Sequence, residues 1–128
     1  YKELLINGSN TNIKNYIRLL KYSREYKTQL ENIFTKVDLF ICPPWPTSAL
    51  SNDVDSLGDL NDQGDLLRFT VPFNISGNPS ITVPCGFNDE GLPIAFQLIS
   101  SHYKEDLLLQ VSNAYQSNTS WHLKYPSL

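Results

Sequence analysis

Apolar positions early in the chain recur with helical spacing. Ile13, Tyr16, Ile17, Leu20, Leu30, Ile33 and Phe34 share one face of a helix, and Lys14, Arg18, Lys21, Arg24 and Lys27 lie largely on the other. Residues 1–6 are apolar enough to close an earlier helix, which the pattern ends at Asn7 and Gly8. Residues 9–12 are polar, and Thr11 or Asn12 is placed to cap the helix that follows. Residues 38–42 then read as a short strand cut off by Pro43 and Pro44. The proline-stiffened loop after it carries Trp45, which either walls a cavity or anchors the loop onto the core. Residues 65–73 read as one or two helical turns, apolar all round through Leu66, Leu67, Phe69 and Val71, with Pro72 ending or kinking them.

The strongest pattern lies further on. Residues 81–83 form a β-branched strand bracketed by Pro79 and Pro84, which suit the ends of a strand because each lacks a backbone donor. Asn88, Asp89, Glu90 and Gly91 supply turn chemistry, with Gly91 free to take positive φ. Residues 94–99 then give a second strand, so the unit reads as a hairpin with a medium loop. That strand alternates poorly, because Ile94, Ala95, Phe96, Leu98 and Ile99 are all apolar. Such a strand suits a sheet covered on both faces. Gln97 is its one polar side chain and needs a partner if buried. Ser100 and Ser101 lead into a last helix with Glu105 and Asp106 in its first turn, where they complement the helix dipole. Leu107, Leu108, Val111, Ala114 and Tyr115 form its buried stripe, and the tail from Trp121 packs back on the body.

Composition narrows the function classes. The 128 residues are 41% hydrophobic and 12% aromatic, enough for one core and against disorder. A net charge of −3 leaves no electrostatic footprint for nucleic acid or an anionic membrane, so the basic stripe on the long helix reads as a solvated face. No apolar run approaches the roughly 18 residues that suggest a membrane span. Asp53, Asp55, Asp59 and Asp62 crowd a flexible acidic loop at 52–64, but their spacing misses the calcium-loop pattern and no glutamate closes it. Two cysteines and two histidines without ligand spacing give no zinc site. Cys42 and Cys85 sit in apolar, proline-flanked strands and read as free thiols, which points to a reducing, cytoplasmic setting. Cys85 with His102 or His122 is the only thiol-based catalytic set on offer. Cys85 stands between Pro84 and Gly86 at a strand end with no charged neighbour to activate it, so it reads as inert.

Phe73, Asn74, Gly77, Pro79, Val83, Pro84 and Gly86, followed by Gly91, Leu92, Pro93, Gln97, Leu98 and Ile99, resemble the closing segment of the amidase signature family. The strand at 38–42 and the last helix, through Glu105, Leu108, Ala114 and Tyr115, extend the resemblance over nearly the whole chain. It implies an α/β fold: part of a mixed β-sheet covered by helices, with residues 1–128 forming one partial domain. The family hydrolyses amides with a serine nucleophile, a second serine in a cis peptide and a lysine, carried on a Gly/Ser-rich run. No such run occurs here, and Ser76 with Gly77 is the nearest approach, in the wrong segment. The resemblance therefore implies the C-terminal portion of an amidase, with no catalytic residue, metal or cofactor of its own.

What such a portion contributes is a wall. Position by position, Leu67 and Val71 fall on sites that line the family's acyl cavity, and Gly64 matches less closely. The plainer reading of both is core packing. Glutamine-handling members have an aspartate where Leu67 stands, so an apolar Leu67 implies a neutral, hydrophobic acyl group. Asn78 and Ser80 replace apolar or small residues, and Ala95 and Ser100 replace glycines. The implied partners are the N-terminal part of the same protein or a second copy, with a small-molecule amide as substrate of the complete enzyme. The other class of function is a fold remnant that serves protein interaction.

Overall fold

The computed structural model describes residues 2–47 and 66–125, with the side chains of Glu3 and Leu4 left aside. The acidic run at 52–64, including Gly64, lies outside the described residues. Helix α1 (Lys2–Ser9) runs through Asn7 and Gly8 instead of stopping there. A glycine inside a helix costs only about 1 kcal/mol against alanine, and Gly8 has no positive φ with which to end it. The end comes a residue later, where Ser9 Oγ donates to the Ile6 carbonyl at 2.8 Å and Thr11 Oγ1 to that of Asn7 at 3.3 Å. Thr11 being engaged there, Asn12 caps α2 (Ile13–Phe34): its extended backbone leaves the side-chain oxygen to accept from the Asn15 amide at 2.9 Å.

The sheet has the order β1-β3-β2, built from β1 (Leu39–Cys42), β2 (Ser80–Phe87) and β3 (Pro93–Ser100). Both pairings are antiparallel. The described strands are thus an antiparallel part of the α/β fold of sheet and helices that the resemblance implies. The hairpin of β2 and β3 is longer than the pattern at 81–83 and 94–99 suggests. Pro84 does not end its strand, because the register slips between Pro84 and Gly86 and leaves Cys85 as the extra residue of a bulge. A bulge on an edge strand tolerates a residue that cannot donate. Asn88 organises the turn, its Oδ1 accepting from Glu90 N at 3.1 Å and Leu92 N at 2.7 Å, while Gly91 takes φ +78°.

Helix α3 (Val71–Ser76) corrects a second proline. Pro72 opens the helix rather than closing the turns before it, since a first-turn N–H has no acceptor within the helix anyway. Gly77 ends the helix at φ +76°, its N–H bonded to the Phe73 carbonyl at 2.8 Å. Helix α4 (Glu105–Ser117) follows β3, with Glu105 and Asp106 in its first turn. Its covered stripe is turned slightly from the expected one: Leu108 and Ser112 are buried, whereas Ala114 is exposed. Leu108, Ser112 and Tyr115 keep the i, i+4, i+7 spacing of one face, and the buried Ser112 Oγ has no hydrogen-bond partner among the described residues.

β3 is covered on both faces over its second half, Gln97 to Ser100 being buried while Pro93 and Ile94 are exposed, short of the cover its apolar run suggests. Phe96 meets Tyr115 of α4 edge-on at 4.9 Å between ring centroids. On the opposite face Gln97 reaches the backbone ahead of α3, and Phe40, paired with Ile99, meets Phe34 of α2 edge-on at 5.3 Å. The tail packs back through Trp121, whose ring lies 6.2 Å from that of Phe87 with Lys124 Nζ 4.3 Å above it. No helix among the described residues is long and apolar enough to cross a membrane.

Candidate functional site

Helices α2 and α3 meet along an apolar groove of about 820 Å³. Tyr16, Leu20 and Tyr26 line it from α2, and Val71, Pro72 and Ile75 from α3. Residues 16, 19, 20, 23 and 26 all contribute, which is the recurrence of a single helical face. Ser23 Oγ donates to the Ile75 carbonyl at 3.3 Å and ties the two walls together. Burial pushes the Tyr26 phenol above its ordinary pKa, so it stays protonated and presents a neutral hydroxyl. With Glu25 as the one charged residue in the lining, the groove suits an apolar, uncharged group.

Of the two residues singled out from sequence, Val71 lines this groove and Leu67 does not. They lie one turn apart: the Leu67 carbonyl accepts from Val71 N at 2.9 Å and Thr70 N at 3.0 Å. Both are a little over one-third exposed, so neither is core. The tyrosines of α2 were missing from the sequence-based site, although Tyr16 belonged to the apolar stripe. The recurrence through Tyr26 was the available signal.

The segment before α3 is held from the sheet. Gln97 faces Cys42 on one neighbouring strand and Thr82 on the other. It is 4% exposed, and its Nε2 donates to the Phe69 carbonyl at 3.1 Å, with Cys42 Sγ at 3.6 Å. Burial pushes the Cys42 thiol pKa up, with the Gln97 contact opposing. Cys42 and Cys85 are both free and half-buried. His102 and His122 occupy turns at the ends of β3 and α4, each with one buried ring nitrogen lacking a partner among the described residues. Neither histidine is hydrogen-bonded to a thiol among the described residues, and no three metal-ligating side chains cluster there. Trp45 lines a second cavity of about 400 Å³, with Pro43, Pro44 and Pro46 beside it and Pro93, Ile94 and Ala95 across from it.

Comparison with known proteins bears on what this groove belongs to. The family model described as Amidase matches residues 2–109. A subunit of the glutamyl-tRNA(Gln) amidotransferase of Nostoc punctiforme is 40% identical over 114 residues, covering 88% of this chain and 23% of that protein. Its counterpart from Picosynechococcus sp. is likewise 40% identical over the same shares. Among solved structures, 6-aminohexanoate cyclic dimer hydrolase superposes with a TM-score of 0.80 at 27% identity, over 98% of this chain and 28% of that one. A bacterial aryl acylamidase gives 0.77 at 18% identity, covering 95% and 26%, which shows the shared fold. The chain thus spans about a quarter of the length of the relatives it matches.

Proposed function

The chain belongs to the amidase family, and from that premise we propose that it is the C-terminal portion of an amidohydrolase that cleaves carbon–nitrogen bonds of amides. The serine, cis-serine and lysine of the family's mechanism lie outside these residues. This portion supplies scaffold and one apolar wall of the acyl pocket, through Val71 in the groove, with Leu67 one turn earlier bordering that wall from outside the groove. The observation that carries the reading is Val71 in the groove beside Pro72, Ile75 and the tyrosines of α2. An acyl group held there is neutral and hydrophobic, because a charged one would be desolvated against these side chains with Glu25 as the one ionisable partner of fixed charge. The N-terminal part of the same protein is the partner, and it covers the apolar side of α1 and α2.

The test is complementation. The 128-residue chain alone should leave aryl amides intact. Joined to an amidase N-terminal portion carrying the Gly/Ser-rich run and its lysine, it should hydrolyse them. Val71→Asp should then lower kcat/KM for apolar acyl anilides about tenfold or more, near 1.4 kcal/mol of transition-state binding. Turnover by the isolated chain sinks the reading, as does an inactive complemented enzyme. In the second case a stable complex without activity would favour the interaction module.

A further inference from the structure

We propose that Gln97 is a positioning residue, which fixes the acyl-facing wall by holding the Phe69 carbonyl to the centre of the sheet. The inference rests on the amidase reading for its catalytic consequence, though not for its structural one.

The sequence places a single polar side chain in an otherwise apolar central strand, and burying an amide there is costly unless it is bonded. A buried polar side chain is therefore informative in proportion to what it holds. Here one of its two hydrogen bonds goes to Cys42 on the neighbouring strand and the other leaves the sheet. The latter spans 28 residues to the turn that precedes α3. That turn carries Leu67 and leads directly into Val71, and Phe69 lies midway between them. The backbone on either side of Phe69 is otherwise held by local bonds, Thr70 N and Val71 N both donating to the Leu67 carbonyl. Local bonds fix the shape of a turn but not its distance from the sheet. Gln97 Nε2 supplies that distance at 3.1 Å. The second contact, to Cys42 Sγ at 3.6 Å, holds the same amide nitrogen from the neighbouring strand β1. Arg68, stacked 5.0 Å over the Phe69 ring, is the charged group of this turn, and Cys42 is the titratable group facing Gln97 from β1.

Two variants separate positioning from bulk packing. Gln97→Leu keeps the side-chain size and removes the donor. Gln97→Glu keeps the shape and donates only while protonated. The carboxyl pKa of that glutamate is raised by burial, so its bond to Phe69 is present at low pH and lost as the pH rises through the folded-state value. In the 128-residue chain, hydrogen-exchange protection of residues 67–77 should fall about tenfold in Gln97→Leu. In Gln97→Glu it should match the parent near pH 5 and fall toward pH 8, while the β2–β3 hairpin stays protected in both. In the complemented enzyme, Gln97→Leu should raise KM for an apolar acyl anilide about three- to tenfold and leave kcat within about twofold, because it loosens a binding wall and touches no reacting atom. Unchanged protection of residues 67–77 in both variants overturns the proposal, as does a uniform loss across the hairpin. If the parent enzyme turns over no amide, the amidase reading fails instead, and the exchange experiment still decides the role of Gln97.

Discussion

The two ends of this chain carry equally clear apolar periodicity and put it to opposite use. In the sheet, Ile99 and Val83 are at most 1% exposed, and Leu108 of α4 is 3% exposed. In the first half of α2, Ile13, Ile17 and Leu20 are 66%, 59% and 44% exposed, on the stripe that the spacing marks as a face to be covered. Only towards its far end, at Leu30 and Phe34, does that helix sink into the fold. An apolar stripe therefore records that a face is adapted to a cover. It does not say that the cover lies in the same stretch of chain. The groove against α3 sits at the border between the two regimes, where α2 begins to find partners.

Truncating a side chain on each side tests that contrast most severely. Ile99→Ala should cost about 2–5 kcal/mol in urea unfolding, the range for emptying a filled core site. Ile17→Ala should stay within about 0.5 kcal/mol, as for exposed positions. Equal costs would mean the two stripes are not different in kind. A smaller effect is expected at the joint between α3 and β2. Gly77→Ala should cost about 1–2 kcal/mol through its positive φ alone, because the added Cβ would meet His102 Cε1 at an ordinary 3.6 Å. Gly77→Asn should cost less, since asparagine visits that conformation more readily, and an equal cost would point to crowding instead. The smallest effect is alkaline. Cys42 and Tyr26 both have pKa values raised by burial, so the folded state holds their protons longer than the unfolded one. Stability is then fully present below the ordinary thiol value of about 8.5 and declines as the pH rises beyond it. Cys42→Ser should flatten the earlier part of that decline in thermal unfolding, and an unchanged profile would show that Cys42 plays no part.

Much of the fold was legible where local chemistry decides the outcome. Asn12 as a cap, Asn88 and Gly91 in the turn, and the need of Gln97 for a partner all follow from what single side chains can bond or which φ they tolerate. The two misplaced prolines were legible only in part. Lack of a donor excludes Pro72 and Pro84 from ordinary interior positions, but it fits a helix start and a bulged edge as well as an element's end. Distinguishing these needs the neighbouring element. Amidase kinship could be read from the run between Phe73 and Ile99. The groove could not, because it arises where α2 crosses α3, and helical spacing names a face without naming what lies opposite. Leu67 and Val71 lie one turn apart, and of the two Val71 is in the groove lining.

One consequence of the sheet's borders concerns how such a piece behaves at high concentration. Among the described strands the outer two are β1, four residues long and stopped by Pro43, and β2, interrupted by Pro84 and the bulge at Cys85. Neither offers a long, flat row of donors on which further chains could stack into fibrils. Concentrated chain is therefore expected to associate through exposed helix side chains such as Ile13 and Ile17, dispersed by mild detergent, and a rise in thioflavin fluorescence would contradict this.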